Sequence, residues 1–475
     1  MAPRTSQVES ARRFARLVDA VIWRALSSVV ERRPVRVEEG SWRPRPRWSG
    51  AELSPDRHFF EVAQQDLPVV LTGVIGGAII RTLGQTPRSA EEDVLAVILR
   101  LLAPVTLILF MCSAVAALRE QRRADPSMDL AGFVNSERQA QQLPGLAVVI
   151  VRSDGPPRVH VSGERRIGKG DLMTPSDRMH LGSLTKAITA TVIGALAEKR
   201  LMTFATTIGQ TFPELSAKIQ PAYRGVTVRQ LLAHAGGIPP YGTRQSLQSL
   251  LTLKGTPTEH RYAFVERVLT EPPRFEPGTR HEYSNAGAAI AGAMAEKIAG
   301  SPYRQLVQEL VFARFGGQAA FGNPGLAAEP QPWGHIRTTH GTLEIAPANA
   351  VYTTPLAIEP AGDASPSIAD FGRFLQLHLR GLRGRDDILK ATTIQDLQRD
   401  PGSAMGWAVT TRDGVESHQH FGSYGAYVAY AVIQPRRDIA IGAFTNLGGG
   451  QDLRDAVARV ALQIATRAAT AEKSR

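Results

Sequence analysis

Residues 427–446 read YVAYAVIQPRRDIAIGAFTN. Two runs of strand length, rich in β-branched and aromatic residues, flank a Pro-Arg-Arg-Asp turn, which is the pattern of a β-hairpin. An amphipathic helix is expected directly after it, over DLRDAVARVALQIATRA (452–468). The same elements recur far upstream. DLAGFVNSERQAQQ (129–142) has helical spacing and stops before Pro144-Gly145. Residues 146–151 are an apolar run of strand length, and after the turn DGPP, Val159 and Val161 alternate as in a second strand. Strands therefore come from both ends of this region, while its middle is mostly helical with Gly and Pro punctuation. That order predicts an α+β fold: an antiparallel sheet flanked by N- and C-terminal helices, with a helical domain inserted between its two halves. No internal repeat is evident.

The 475 residues are 43% hydrophobic and 21% charged, a globular composition long enough for a large core. The net charge is +11, but arginines are scattered along the chain and no basic block is interleaved with aromatics, which argues against nucleic acid as a partner. The single cysteine, Cys112, excludes an internal disulfide and a cysteine-based zinc site.

The first 128 residues have a different character. Residues 1–66 are Arg-rich; they hold an amphipathic stretch broken by Asp19 and Arg24, then a Pro/Arg linker, SWRPRPRWSG (41–50), whose Trp42 and Trp48 suit a membrane interface. LLAPVTLILFMCSAVAAL (101–118) is uncharged and near the minimum of ~17 residues for a transmembrane helix. LPVVLTGVIGGAII (67–80) is shorter but carries Gly73 and Gly77 in a GxxxG face. Residues 67–118 are expected to form a membrane segment in contact with lipid, as a helical hairpin or as one span plus a soluble helix, with 119–128 as linker. Basic flanks place both sides of a hairpin in the cytoplasm; a single span exports the C-terminal domain.

Three motifs carry chemistry. In SLTK (183–186), Ser183 and Lys186 lie one helical turn apart. A hydroxyl needs a base to become a nucleophile, and a lysine neutralised by burial can supply one. At a helix N-terminus, Ser183 also meets free backbone N–H groups. In Tyr283-Ser284-Asn285, the tyrosine can relay a proton if its pKa falls beside Lys186, and Asn285 can hold the lysine and a substrate amide; the bland alternative is a buried Tyr and a capping Asn. In His420-Phe421-Gly422, the glycine admits substrate to a strand edge, and the N–H of Ser423 can join that of Ser183 as an oxyanion hole. His418 and His420 form an H-x-H pair, but no third ligand follows at metal spacing. His234-Ala235-Gly236 also matches H-x-G and is read as a turn closing a helix. No G-x-S-x-G elbow exists, so an α/β-hydrolase is not indicated.

The three motifs, in this order and on these elements, resemble the serine β-lactamase and penicillin-recognising family, in its class C and esterase or D,D-peptidase branch. LPGLAVVIV, MHLGSLTKAITATVIGALAEKRLMTF, IGQTFPEL, VTVRQLLAHAGGIP, FEPGTRHEYSNAGAAIAGAMAEKIAG and SIADFGRFLQLHL extend the likeness over most of 129–470. The resemblance implies an acylated Ser183 activated by Lys186, a proton-shuttling Tyr283, and Asn285, His420, Gly422 and Ser423 around the substrate. It implies a small-molecule or peptide acyl substrate with an ester, amide or β-lactam bond and no metal or organic cofactor; the apolar segment 67–118, which lies outside the resemblance, sets the expectation of a membrane location, a bacterial inner membrane, with the side of the catalytic domain open. Where many β-lactamases have Lys-Thr-Gly, this chain has His420, which favours esterase or peptidase activity over recognition of a β-lactam carboxylate. A penicillin-binding receptor that acylates without turnover is the alternative.

Overall fold

The computed structural model describes residues 130–349, 353–399 and 404–473. The expected amphipathic helix and linker of 1–66, the membrane segment of 67–118 and the linker of 119–128 lie outside the described residues. Among the described residues, no helix is long and apolar enough to cross a membrane.

The described residues begin with α1 (Leu130–Ala140), then β1 (Gly145–Val151), β2 (Arg158–Arg166) and the short β3 (Asp171–Leu172). The inserted part holds α2 (Thr185–Glu198), α3 (Val228–Leu232), α4 (Pro257–Thr270), α5 (Asn285–Ala299), β4 (Gly334–Thr338) and β5 (Gly341–Ile345). The chain returns through α6 (Ile368–Leu382), β6 (Ala408–Arg412), β7 (Val415–Tyr424), β8 (Tyr427–Gln434), β9 (Ile439–Thr445), β10 (Leu447–Gly448) and α7 (Gln451–Lys473). The main sheet has seven strands in the order β3-β2-β1-β9-β8-β7-β6. All its pairings are antiparallel, and β1 joins the two halves by pairing with both β2 and β9. A second sheet, β10-β4-β5, was not expected from the sequence; its β10–β4 pairing is parallel.

The sheet explains why β1 reads as a continuous apolar run: both of its faces are covered. Ala147, Val149 and Val151 enter the core shared with the inserted helices and α6, whereas Leu146, Val148 and Ile150 pack under α1 and α7. Each fully buried Val or Ile contributes roughly 1.5–3 kcal/mol. On the first face α2 is sunk in the core, with every residue from Thr185 to Leu196 buried. This helix carries the SLTK motif to the edge of the sheet.

Candidate active site

Ser183 lies in a tight turn, Gly182–Leu184, that runs into α2. The preceding Gly182 has φ +50°, and its N–H donates to Nδ1 of the buried His180 at 3.1 Å. Opposite this turn runs β7. A Cβ on Gly182 would lie 2.5 Å from the Ser423 nitrogen, and one on Gly422 would lie 1.8 Å from the Leu181 carbonyl oxygen. Both positions must be glycine for the strand to come this close. The hairpin registers set the direction of the Ser423 N–H. Two-residue turns at 413–414 and 425–426 close on the pairs Arg412–Val415 and Tyr424–Tyr427. Val415, Ser417 and Gln419 then bond to β6, and Tyr424, Gly422 and His420 to β8. Ser423 follows the β6-facing phase, but β6 pairs only as far as Gln419. Its N–H therefore points off an open sheet edge toward the Ser183 turn.

Lys186 is buried, and its Nζ meets three oxygens: Asn285 Oδ1 at 2.7 Å, the Ala361 carbonyl at 2.8 Å and Ser183 Oγ at 3.3 Å. No carboxylate among the described residues forms an ion pair with it. Burial accordingly pushes its pKa well below the usual lysine range. A neutral amine has two N–H groups and one lone pair. When Lys186 is neutral, the two carbonyl oxygens, which can only accept, take both N–H groups and leave the lone pair to the Ser183 hydroxyl. The Asn285 amide is oriented for this by its own Nδ2, which donates to the Tyr241 carbonyl at 3.1 Å.

Tyr283 approaches Ser183 from the other side; its hydroxyl donates to Ser183 Oγ at 2.5 Å, and the Lys186 nitrogen sits 4.7 Å from its ring centroid. The residue is 41% exposed overall, but its hydroxyl end lies in this crowded corner. Desolvation pushes the phenol up to about 12, partly opposed by the bond to Ser183. The sequence made the tyrosine's proton relay conditional on its pKa falling beside Lys186; desolvation pushes it up instead, which keeps the phenol a proton donor. The helix-capping role considered for Asn285 falls instead to Ser284, whose hydroxyl accepts from the Gly287 N–H.

His420 is fixed by its Nδ1, 2.6 Å from the Gly406 carbonyl. A carbonyl accepts, so Nδ1 carries the hydrogen and Nε2 keeps its lone pair in the neutral ring. Burial pushes His420 down to about 4, with the Gly406 bond opposing and nearby Lys186 adding to the shift. Its H-x-H companion His418 is spent on Glu416, at 3.1 Å. Ser183, Lys186, Tyr283 and Asn285 thus form one hydrogen-bonded constellation, with His420, Gly422 and Ser423 on the strand that borders it.

Sequence reasoning missed several supporting groups. The Ala361 carbonyl comes from the short helical segment Glu359–Gly362, held by a buried network in which Arg261 binds Glu296 and Glu359, both at 2.6 Å. Gly406 packs against the backbone of Lys186 and Ala187. His234 is buried against Tyr283, with ring centroids 4.6 Å apart.

A serine whose hydroxyl lies between a buried lysine and a tyrosine, beside an antiparallel sheet edge, is an arrangement suited to a serine hydrolase. The family model for beta-lactamase matches residues 122–466, and the chain belongs to that family. It is 24% identical over 328 residues to penicillin-binding protein 4 of Amycolatopsis lactamdurans, covering 66% of this chain and 83% of the relative. It is 26% identical over 263 residues to a beta-lactamase of Escherichia coli K12, covering 55% and 62% respectively. The fold is shared with D-amino acid amidase of Ochrobactrum anthropi SV3, at a TM-score of 0.57 and 19% identity over 73% of this chain and 97% of that one.

Proposed function

We propose that this chain hydrolyses an ester or amide through an acyl-enzyme on Ser183, and that its preferred substrates lack a carboxylate beside the scissile bond. The observation that carries the first part is the placement of the buried Lys186 nitrogen, 3.3 Å from Ser183 Oγ, with its two other neighbours the carbonyl oxygens of Asn285 and Ala361. In this reading the Ser183 oxygen attacks the substrate carbonyl while its proton passes to Lys186. The N–H groups of Ser183 and Ser423 receive the developing oxyanion. The proton then reaches the leaving alcohol or amine by way of Lys186 and the Tyr283 hydroxyl. Water enters along the same path in reverse, Lys186 taking its proton and returning one to Ser183 as the acid departs.

The second part rests on His420. Kept neutral by burial, with its Nδ1 hydrogen on the Gly406 carbonyl, it offers a substrate an acceptor nitrogen rather than a positive charge. A substrate carboxylate gains nothing there, which favours the esterase or peptidase branch over β-lactam recognition. The protein is further proposed to be held at a membrane through 67–118, on the strength of the uncharged run at 101–118.

The test uses the full-length chain and its Ser183→Ala variant, each incubated with a penicillin, a p-nitrophenyl ester and a fluorophosphonate and followed by intact mass and product release. Ester turnover and a fluorophosphonate adduct, both lost in the variant, are expected. Turnover that survives Ser183→Ala removes the nucleophile assignment. Faster turnover of penicillin than of the ester removes the substrate preference, and a permanent penicillin adduct identifies a receptor.

A further inference from the structure

We propose that His234 is the positioning residue of Tyr283: it grips the chain on both sides of the tyrosine and lies against its ring, delivering the phenol to Ser183. The inference rests on the reading of Ser183 as nucleophile, and it starts from a backbone oddity. His234 adopts φ +59°, a left-handed conformation costly for a residue with a Cβ and kept when the surroundings enforce it. This conformation turns two acceptors of one residue toward a loop fifty positions later. The His234 carbonyl accepts from the Glu282 N–H at 2.9 Å, and its Nδ1 accepts from the Ser284 N–H at 3.2 Å. Glu282 and Ser284 are the immediate neighbours of Tyr283. The imidazole face completes the grip, tilted 41° to the phenol ring.

The grip is the centre of a longer seam. The Gly278 N–H donates to the Ala235 carbonyl, the Ser284 hydroxyl to the Pro239 carbonyl and the Asn285 N–H to the Pro240 carbonyl. These outer bonds place the loop, but among the described residues His234 alone is bonded to both neighbours of Tyr283 and packed on its ring. Nδ1 can accept only while it is unprotonated. Burial is the main influence keeping it so, and the groups facing it from neighbouring elements, Lys186, His420 and His281, act in the same direction. His234 makes none of the contacts that define the reacting atoms, so its effect on the reaction runs through Tyr283.

The experiment compares His234→Asn, His234→Phe and His234→Ala in the full-length chain. Asparagine tolerates positive φ and presents an acceptor oxygen near the position of Nδ1; phenylalanine keeps a ring and loses the acceptor. Melting curves identify the folded variants. The Asn variant is expected to retain the acylation rate within about threefold, while Phe and Ala lose about tenfold, the usual weight of one hydrogen bond at a partly buried group. A second readout does not depend on turnover: the 13Cζ tyrosine resonance of Tyr283, assigned by its loss in Tyr283→Phe, is expected to shift in Phe and Ala. A folded Phe variant with the wild-type rate, or a folded Asn variant as slow as Ala, overturns the proposal. If the wild type acylates with no probe, the nucleophile reading fails on its own, and an unmoved Tyr283 resonance in His234→Phe then decides against the grip.

Discussion

Gly422→Ala is expected to cripple the site while leaving every side chain of the constellation in place. A Cβ at this position would sit 1.8 Å from the Leu181 carbonyl oxygen, 2.9 Å from the Leu181 carbonyl carbon and 3.2 Å from the Leu184 nitrogen. These are backbone atoms on the two sides of the Ser183 turn, so no side chain can swing away. Restoring an ordinary contact of about 3.4 Å means separating β7 from the turn by well over an ångström. That gap opens between the N–H groups of Ser183 and Ser423, which must converge on one oxygen. A misplacement of this size costs about 100-fold in turnover, and overpacking costs about 1–3 kcal/mol of stability. Gly225→Ala is the control, since a Cβ there meets nothing within 4 Å. Ester hydrolysis and burst acylation, measured beside urea melts, separate the two effects. Wild-type turnover in a Gly422→Ala protein of unchanged stability refutes the close-approach argument and with it the proposed oxyanion hole.

Lys186→Met is expected to slow acylation by about 10²–10⁴-fold and also to change how stability responds to pH. A buried lysine that is neutral when folded takes up a proton on unfolding, so the wild type gains stability as pH rises from its depressed folded pKa toward ~10.4. The variant lacks this component, and its ΔG-against-pH slope should be lower by about 1.4 kcal/mol per unit in that window; parallel slopes in urea melts would sink the neutral-lysine assignment. Asn285→Asp places a carboxylate where Oδ1 now lies 2.7 Å from Nζ. It should raise the Lys186 pKa and move the acid limb of the pH–rate profile upward, and an unmoved limb would exclude Lys186 as the base. Arg261→Met leaves Glu296 and Glu359 buried without their shared partner and should cost about 3–5 kcal/mol in a melt; a loss below about 1 kcal/mol means the network does not brace the Ala361 segment.

The parts of the fold legible in the sequence are those where local pattern and tertiary environment agree. β1, β8 and β9 are buried on both faces and read as apolar runs, and α7 shows its stripe because one side packs on the sheet. VESHQHFGSY, by contrast, forms the ten-residue β7 with almost no strand pattern. It is held between β6 and β8 and shaped by the Ser183 turn, so the information lies in its partners. The constellation Ser183, Lys186, Tyr283 and Asn285 was legible as two motifs, because each short stretch carries its own reactive group. The titration behaviour was legible only in part: a lysine lowered by burial follows from the motif, whereas the upward push on Tyr283 depends on what surrounds the phenol in space. His234 looked like a turn residue and is one; that the turn faces Tyr283 follows only from bonds spanning fifty residues.

The pairing of β1 with β9 also has a consequence for how the protein is made. Val148 lies opposite Ala443, so a strand near the start of the catalytic region waits for one near its end. As the chain leaves the ribosome, the serine and its lysine emerge long before β7 to β9 can close the sheet beside them. Contacts so distant in sequence form late and slowly. The nascent chain therefore carries Ser183 and Lys186 without the strand edge that borders them until β7 to β9 have emerged. A chain cut short before β9 would hold the serine and its lysine but not the sheet edge that faces them.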